Sequence, residues 1–282
     1  MKKRIALILT GTMLMGFVLS ACGDNESTEK KDEKTENSVE TSSNANNRTT
    51  FTVGFDAEYP PYGYMDENGE YTGFDLELAE AVCKLEGWEL VKKPINWDAK
   101  DMELNSGAID CIWNGFTMNG REDEYTFSTP YVDNSQVIVV AENSGINTPE
   151  DLAGKTVGVQ AASAALELLQ SDEKDGQKAL ADTFGALNEF ADYNTAFTEL
   201  QAGALDALAI DIGVANYQIK SRGEGYKILE ETLNTEQYAI AFKKGDQELR
   251  DVVNADLKKL TEDGTVAKLA EKYEISDMGT LK

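Results

Sequence analysis

Five polar residues scattered along the chain, Asp56, Thr117, Arg121, Ser163 and Asp211, form a chemically coherent set for an α-amino acid. A guanidinium meets a carboxylate as a planar two-pronged fork, so Arg121 suits a ligand carboxylate. Thr117 adds a hydroxyl. Ser163, at the start of a helical pattern, adds a hydroxyl and backbone N–H groups where a helix terminus favours an anion. Asp211, at the end of a strand pattern, offers an acceptor to an ammonium group. Each also has a plainer reading. Arg121 lies in Arg-Glu-Asp-Glu and could pair only with its neighbours, Ser163 could be only a cap, and Asp211 could be only the N-cap of the helix that follows.

Composition removes most other chemistries. The 282 residues contain no histidine, which excludes Ser-His-Asp and Cys-His catalysis, histidine metal ligation and the usual pH switch. No catalytic residues, metal site or cofactor are expected. The formal charge of −25 repels phosphate backbones, and no basic block compensates, so nucleic acid is not an expected partner.

The cysteines are Cys22, Cys83 and Cys111. Lys2, Lys3 and Arg4 precede an apolar run from Ile5 to Leu19, the pattern of a secretory signal too short to span a bilayer comfortably. Its end, Leu19-Ser20-Ala21-Cys22, resembles the lipobox of bacterial lipoproteins. That resemblance implies cleavage before Cys22, a lipid on Cys22, and a mature protein on the extracytoplasmic face of the cell membrane. Residues 1–21 are then the signal. Residues 22–50, polar with hardly an apolar side chain, are read as a lipidated cysteine and a disordered tether. Cys83 and Cys111 fall in apolar patterns and read as buried thiols, with a bridge between them left open.

The functional residues need a scaffold of alternating strands and helices. Thr52 to Phe55 reads as a strand, followed by Tyr59-Pro60-Pro61-Tyr62, which must leave a sheet. Asn68-Gly69 signals a hairpin turn. Phe74, Leu78, Ala81, Val82 and Leu85 recur at helical spacing before Gly87. A strand near Glu89–Ile95, a helix opened by Asp98 and a strand Ile109–Trp113 follow. In the second half, Thr148-Pro149-Glu150-Asp151 opens a helix, Thr156–Gln160 is a strand, and Ser163 caps a helix to about Gln170. Ala196–Gln201 is a further helix and Ala207–Ile210 a strand. Leu104-Asn-Ser-Gly-Ala-Ile-Asp110 returns as Leu200-Gln-Ala-Gly-Ala-Leu-Asp206, which suggests two lobes on one plan. Two extended apolar stretches, from Asp133 and from Glu236, would carry the chain between lobes. Helices bearing Leu249, Val253, Leu257 and Leu260 would then close onto the first lobe. Ligands of open α/β sheets bind beyond the carboxyl ends of strands, where Asn114, Gly115, Thr117 and Asp211 fall.

From Phe51 to Tyr273 the chain resembles the family 3 solute-binding proteins of polar amino-acid ABC transporters. The resemblance is carried by Val53-Gly-Phe-Asp-Ala-Glu-Tyr-Pro-Pro-Tyr62, Gly73-Phe-Asp-Leu-Glu-Leu-Ala-Glu80, Arg121 through Phe127-Ser-Thr-Pro-Tyr131, Leu152-Ala-Gly-Lys-Thr-Val-Gly-Val-Gln160, the Asp206–Asp211 stretch and Gln237-Tyr-Ala-Ile-Ala-Phe-Lys-Lys-Gly245. It implies an α/β, two-lobed periplasmic-binding-protein-like (type II) fold with two hinge strands, lobe 1 being 51–135 plus 235–282 and lobe 2 being 136–234. It implies Arg121 at the ligand carboxylate, Asp211 at the ammonium, and hydroxyl contacts from Thr117 and Ser163. Asn114, Gly115 and Gln160 fall along the cleft, Asp56 and Tyr59 at the ligand side chain, and Trp97 as an aromatic cover. Two departures stand out. The loop from Thr117 to Arg121 is one residue shorter than the family's, and Ala161-Ala162-Ser163-Ala164 stands where relatives commonly carry glycine.

The function so implied is a lipid-anchored receptor, a monomer and not an enzyme, that binds a polar amino acid (or cystine) and delivers it to a membrane-embedded ABC permease. Glutamine, arginine, lysine and cystine all suit a cleft with Asp56 and aromatic rings. The alternatives are a dehydratase-like lyase on the same fold, for which Glu58 would be the acid, and a ligand-sensing domain without transport.

Overall fold

The computed structural model describes residues 48–223 and 225–275. The expected signal, Cys22 and the tether through residue 47 lie outside the described residues. The fold takes in the last three tether positions, earlier than the expected boundary at Phe51. Arg48 pairs with Asp110 at 2.7 Å, the Thr49 carbonyl accepts from the Glu89 N–H, and Thr50 begins the first strand.

The first part of the chain runs β1 (Thr50–Phe55), β2 (Glu58–Tyr59), β3 (Gly63–Met65), β4 (Tyr71–Thr72), α1 (Phe74–Glu86), β5 (Glu89–Pro94), α2 (Lys100–Asn105), β6 (Cys111–Ile112) and β7 (Thr126–Phe127). A long strand, β8 (Val132–Ala141), leaves it. There follow β9 (Thr156–Gln160), α3 (Ala164–Gln170), α4 (Lys178–Ala181), β10 (Ala186–Phe190), α5 (Tyr193–Gln201), β11 (Ala207–Asp211), α6 (Ile212–Arg222) and β12 (Tyr226–Ile228). The chain returns through β13 (Asn234–Tyr238) to β14 (Ala241–Phe242) and ends in α7 (Gln247–Glu262) and α8 (Thr265–Tyr273).

Two large sheets and one small one result. One large sheet has the order β5-β1-β6-β14-β7, the other β10-β9-β11-β8-β12 with β13 also paired to β8, and the small sheet is β2-β3-β4. The expected α/β architecture with two open sheets is therefore present, and β8 and β13 run side by side between the two halves. Alternation along β8 shows why both faces of the second sheet are covered: Val137 and Val139 pack with Phe197 and Val214, while Ile138 and Val140 pack with Val157 and Leu166. On the first sheet, Phe51, Val53 and Phe55 meet Phe74, Leu78 and Val82 of α1 and Leu249, Val253 and Leu257 of α7.

The repeated Gly-Ala-aliphatic-Asp motif does the same work twice. Gly107 and Gly203 both sit at φ 75°, turning a helix end into a strand. Asp110 then accepts from the Thr52 N–H at 2.7 Å, and Asp206 from the Thr156 N–H at 2.8 Å. Each carboxylate ties the strand it precedes to the neighbouring parallel strand of its own sheet, β6 to β1 and β11 to β9.

Three local expectations are corrected. Asp98 opens no α-helix; it lies in a single 3-10 turn, Trp97–Ala99, ahead of α2. Ladder pairing in the strand expected over Ile109–Trp113 is confined to Cys111–Ile112. Thr148 does cap, with a reciprocal bond from Asp151, but only a 3-10 turn, Pro149–Leu152. Cys83 and Cys111 are both buried and free, as the apolar patterns predict. Among the described residues no helix is long and apolar enough to cross a membrane.

Candidate functional site

Strand ends and helix starts converge where the two sheets face each other. Arg121 follows a turn in which its N–H donates to the Met118 carbonyl, and its side chain is 7% exposed over the Phe116 ring. Its Nη1 donates to the Thr117 carbonyl at 3.2 Å. The outer edge of the guanidinium meets Glu167 of α3, with Nη2 at 2.7 Å from Oε1 and Nε at 3.1 Å from Oε2. Its partner is thus a carboxylate from the opposite half, not its sequence neighbours. Only Nε makes a hydrogen bond to Glu167; Nη2 is close enough for an ion pair but has no hydrogen-bond partner.

Ser163 caps α3 through the Leu166 N–H and donates to the Gln160 carbonyl at 2.7 Å. The residue before it, Ala162, holds φ 53°, the left-handed conformation that glycine takes most easily, so the alanine here carries strain. Its carbonyl accepts from Lys100 of α2 at 3.3 Å. Gln160, at the end of β9, donates to Asp56 Oδ2 at 2.7 Å, and the Glu58 N–H donates to Asp56 Oδ1. Burial pushes the Asp56 carboxyl up to about 6, against the pull of these two hydrogen bonds.

Asp211 does not cap α6; no backbone N–H of that helix reaches its side chain. Its Oδ1 accepts instead from Tyr238 at 2.6 Å, from Gln136 at 2.7 Å and from Asn134 at 2.8 Å. Glu236 lies beside it, accepting from Thr117 at 2.7 Å and from the same Asn134 and Gln136 amides. Burial raises both carboxyls above the usual carboxylate range, and the Asp211 charge raises Glu236 further.

Gly115 completes the floor at φ 56°. A Cβ there would stand 2.9 Å from the Tyr238 ring and 3.1 Å from that of Tyr59. Its N–H donates to Asp75 at 2.6 Å, and Tyr131 donates to the same oxygen at 2.8 Å. Asp75 is fully buried, and desolvation pushes it up to about 7.

Part of this set lines a small, partly open cavity of about 20 Å³, room for about one water. Of the residues expected at the site, Tyr59, Trp97, Gly115, Thr117, Arg121, Gln160, Ser163 and Asp211 line it. Asp56 and Asn114 stand behind the lining: Asn114 Oδ1 accepts from the Asp56 N–H at 2.8 Å, and Asp56 reaches the cavity only through Gln160. Trp97 lies edge-on to Phe116 with the Lys100 ammonium over its ring. Trp113 is core, wholly buried. Glu58, the acid of the lyase alternative, is exposed and bonded to Asn194.

Sequence reasoning missed Phe116, Ala164, Glu167, Asn134, Gln136, Glu236 and Tyr238. Two signals were present. Glu167 follows Ser163 by four residues, so it shares the helix face that the cap presents. Asn134 and Gln136 alternate on one face of an otherwise apolar strand, where buried amides must find partners.

A larger groove of about 680 Å³, lined by Tyr64, Tyr217, Ile212 and Tyr273, lies elsewhere and includes none of the expected residues.

Comparison with known proteins gives the family of this fold. Residues 51–276 match the family of bacterial extracellular solute-binding proteins, family 3. The L-cystine-binding protein TcyJ of Escherichia coli K12 is 30% identical over 234 residues, 82% of this chain and 85% of TcyJ. A substrate-binding protein of an ABC uptake transporter from Streptococcus pneumoniae, solved with bound histidine, superposes with a TM-score of 0.76 at 33% identity, covering 82% of this chain and 94% of that one. An ancestral arginine-binding protein bound to arginine gives 0.73 at 38% identity, over 80% and 98% of the two chains. The two-lobed α/β fold and the match along nearly the whole described body lead to one conclusion: this chain belongs to the family 3 bacterial extracellular solute-binding proteins.

Proposed function

We propose that this chain captures a free polar amino acid between its two lobes, 51–135 with 235–282 and 136–234, and hands it to a membrane-embedded ABC permease. In this reading it is a monomeric binding protein and not an enzyme, tethered to the outer face of the cell membrane by a lipid on Cys22. The observation that carries the reading is that groups of opposite charge, Arg121 from the first half and Asp211 from the second, line one cavity. A desolvated zwitterion needs both poles matched, because one unpaired buried charge costs several kcal/mol. Arg121 with Thr117 and Ser163 answers the carboxylate, and Asp211 answers the ammonium. Relatives named for cystine and arginine, and one solved with histidine, support the ligand class.

An amino acid does not fit in about 20 Å³, so it enters with the lobes parted. Ligand contacts to both lobes then favour closure, which only a difference in affinity between the two states can drive. A thermal-shift screen of the lipid-free body against the amino acids and cystine identifies the ligand, since saturation at 100 times Kd stabilises by about 2.7 kcal/mol. Arg121→Ala and Asp211→Ala are each expected to weaken binding at least about tenfold, roughly 1.4 kcal/mol. Calorimetry in which both variants bind like the wild type would show the site to be misassigned.

A further inference from the structure

The strand ladder between the two halves holds an acid that the zwitterion does not require. β8 lies between β11 and β13, with Gln136 opposite Asp211 and Asn134 opposite Glu236. Alternate residues of a strand share a face, so these four side chains stand together. Asn134 Nδ2 donates to Asp211 Oδ1 and to Glu236 Oε1, both at 2.8 Å; Gln136 Nε2 donates to the same two oxygens at 2.7 and 2.8 Å. The two carboxylates are therefore within two hydrogen-bond lengths of each other.

Both acids are at least nine-tenths buried, and neither has an ion-pair partner among the described residues. The ionisable groups around them are the neutral hydroxyls of Tyr59, Tyr193 and Tyr238, together with Arg121, which reaches the pair only through Thr117. The Oδ1 of Asn134 and the Oε1 of Gln136 have no hydrogen-bond partner. Two buried acids and two unpartnered amide oxygens face a shortage of donors. Like charges this close do not both ionise freely in a desolvated setting.

We propose that Glu236 is a second acid of the amino-group subsite: it and Asp211 hold one proton between them, and an arriving ligand ammonium displaces that proton into water. The balance is simple. A carboxylic acid and a carboxylate plus R–NH3+ become two carboxylates bracketing R–NH3+, with H+ released to buffer and no covalent bond to the ligand formed or broken. The three N–H groups of the ammonium supply the donors that this cluster lacks. The proposal rests on the amino-acid reading of the cleft.

Two measurements on the lipid-free chain separate it from that reading. The first uses no ligand. A buried acid that keeps its proton to a higher pH than in the unfolded chain adds stability at low pH, and this is lost as pH rises through the folded-state value. The wild type is therefore expected to lose melting temperature relative to Glu236→Gln as pH rises above the ordinary glutamate value of about 4.3. Parallel profiles overturn the shared proton whatever the ligand proves to be.

The second is calorimetry with L-arginine, L-histidine and L-cystine at pH 7 in buffers of different ionisation enthalpy. The wild type is expected to release up to about one proton per ligand bound, and Glu236→Gln and Asp211→Asn close to none. Binding without proton release overturns the displacement while leaving the amino-acid reading intact. No binding by these three or by any amino acid of the thermal-shift screen, with the pH profiles still divergent, overturns the ammonium as the displacing group together with that reading.

Discussion

Glu167 occupies the Arg121 fork in the way a ligand carboxylate would, and replacing it by glutamine tests that competition. The Arg121 side chain is 7% exposed, whereas that of Glu167 is 55% exposed, so the pair has one buried and one solvated end. Exposed ion pairs contribute about 0–1 kcal/mol, and the buried guanidinium end puts this one towards the top of that range. Glutamine keeps an oxygen for the guanidinium, which avoids leaving a buried charge bare, and removes only the charge. If Glu167 and the ligand compete for the same fork, Glu167→Gln releases up to about 1 kcal/mol and tightens ligand binding by as much as roughly fivefold. Titration calorimetry with the amino acid found in the thermal screen reads this directly. Unchanged affinity would mean that the ligand carboxylate and Glu167 sit on Arg121 together. Affinity weakened fivefold would reverse the assignment and make Glu167 part of the closed, liganded cleft.

Two further outcomes follow from the groups beneath the cavity. Gly115→Ala forces a Cβ to within 2.9 Å of the Tyr238 ring at φ 56°; left-handed strain and overpacking together are expected to cost about 2–4 kcal/mol. Denaturant melts should show the loss at unchanged slope, and ligand affinity should fall as Tyr59 and Tyr238 shift; a midpoint like the wild type's would refute the crowding. Asp75 is pushed up to about 7 by burial, so the proton it holds in the folded state adds stability below about pH 4 that is lost as pH rises to about 7. Its contribution to that fall is at most about 1.4 kcal/mol per pH unit, and Asp75→Asn, which retains an acceptor for Gly115 and Tyr131, should flatten the profile by that amount. A stability curve for Asp75→Asn parallel to the wild type's would show that Asp75 does not titrate in this window.

Much of this protein was legible in residue order because the relevant physics is local. The helical spacing before Gly87, the Ser163 cap and the two Gly-Ala-aliphatic-Asp motifs each depend on a few neighbouring residues, and each forms as read. The absence of histidine likewise settled which chemistries were out of reach without any structure. Weak local signals were overridden where tertiary packing decides the outcome. The helix expected from Asp98 begins only at Lys100, and the strand expected from Ile109 pairs only at Cys111–Ile112.

Partnership across the cleft was a different matter. The spacing along the chain offers Arg121 three acidic neighbours, yet the turn that buries its side chain turns it toward Glu167, 46 residues away. Asp211 precedes a helix and reads as its cap, but the register of β11 on β8 sets its carboxylate against Gln136 and Asn134 instead. Glu236 carries no motif; only the pairing of β13 with β8 brings it to Asp211. Residue types and local periodicity determined which groups were available and which elements held them. Strand register and the facing of two sheets decided which charges meet, because desolvation and hydrogen-bond geometry act on distances in space that the order of residues does not contain.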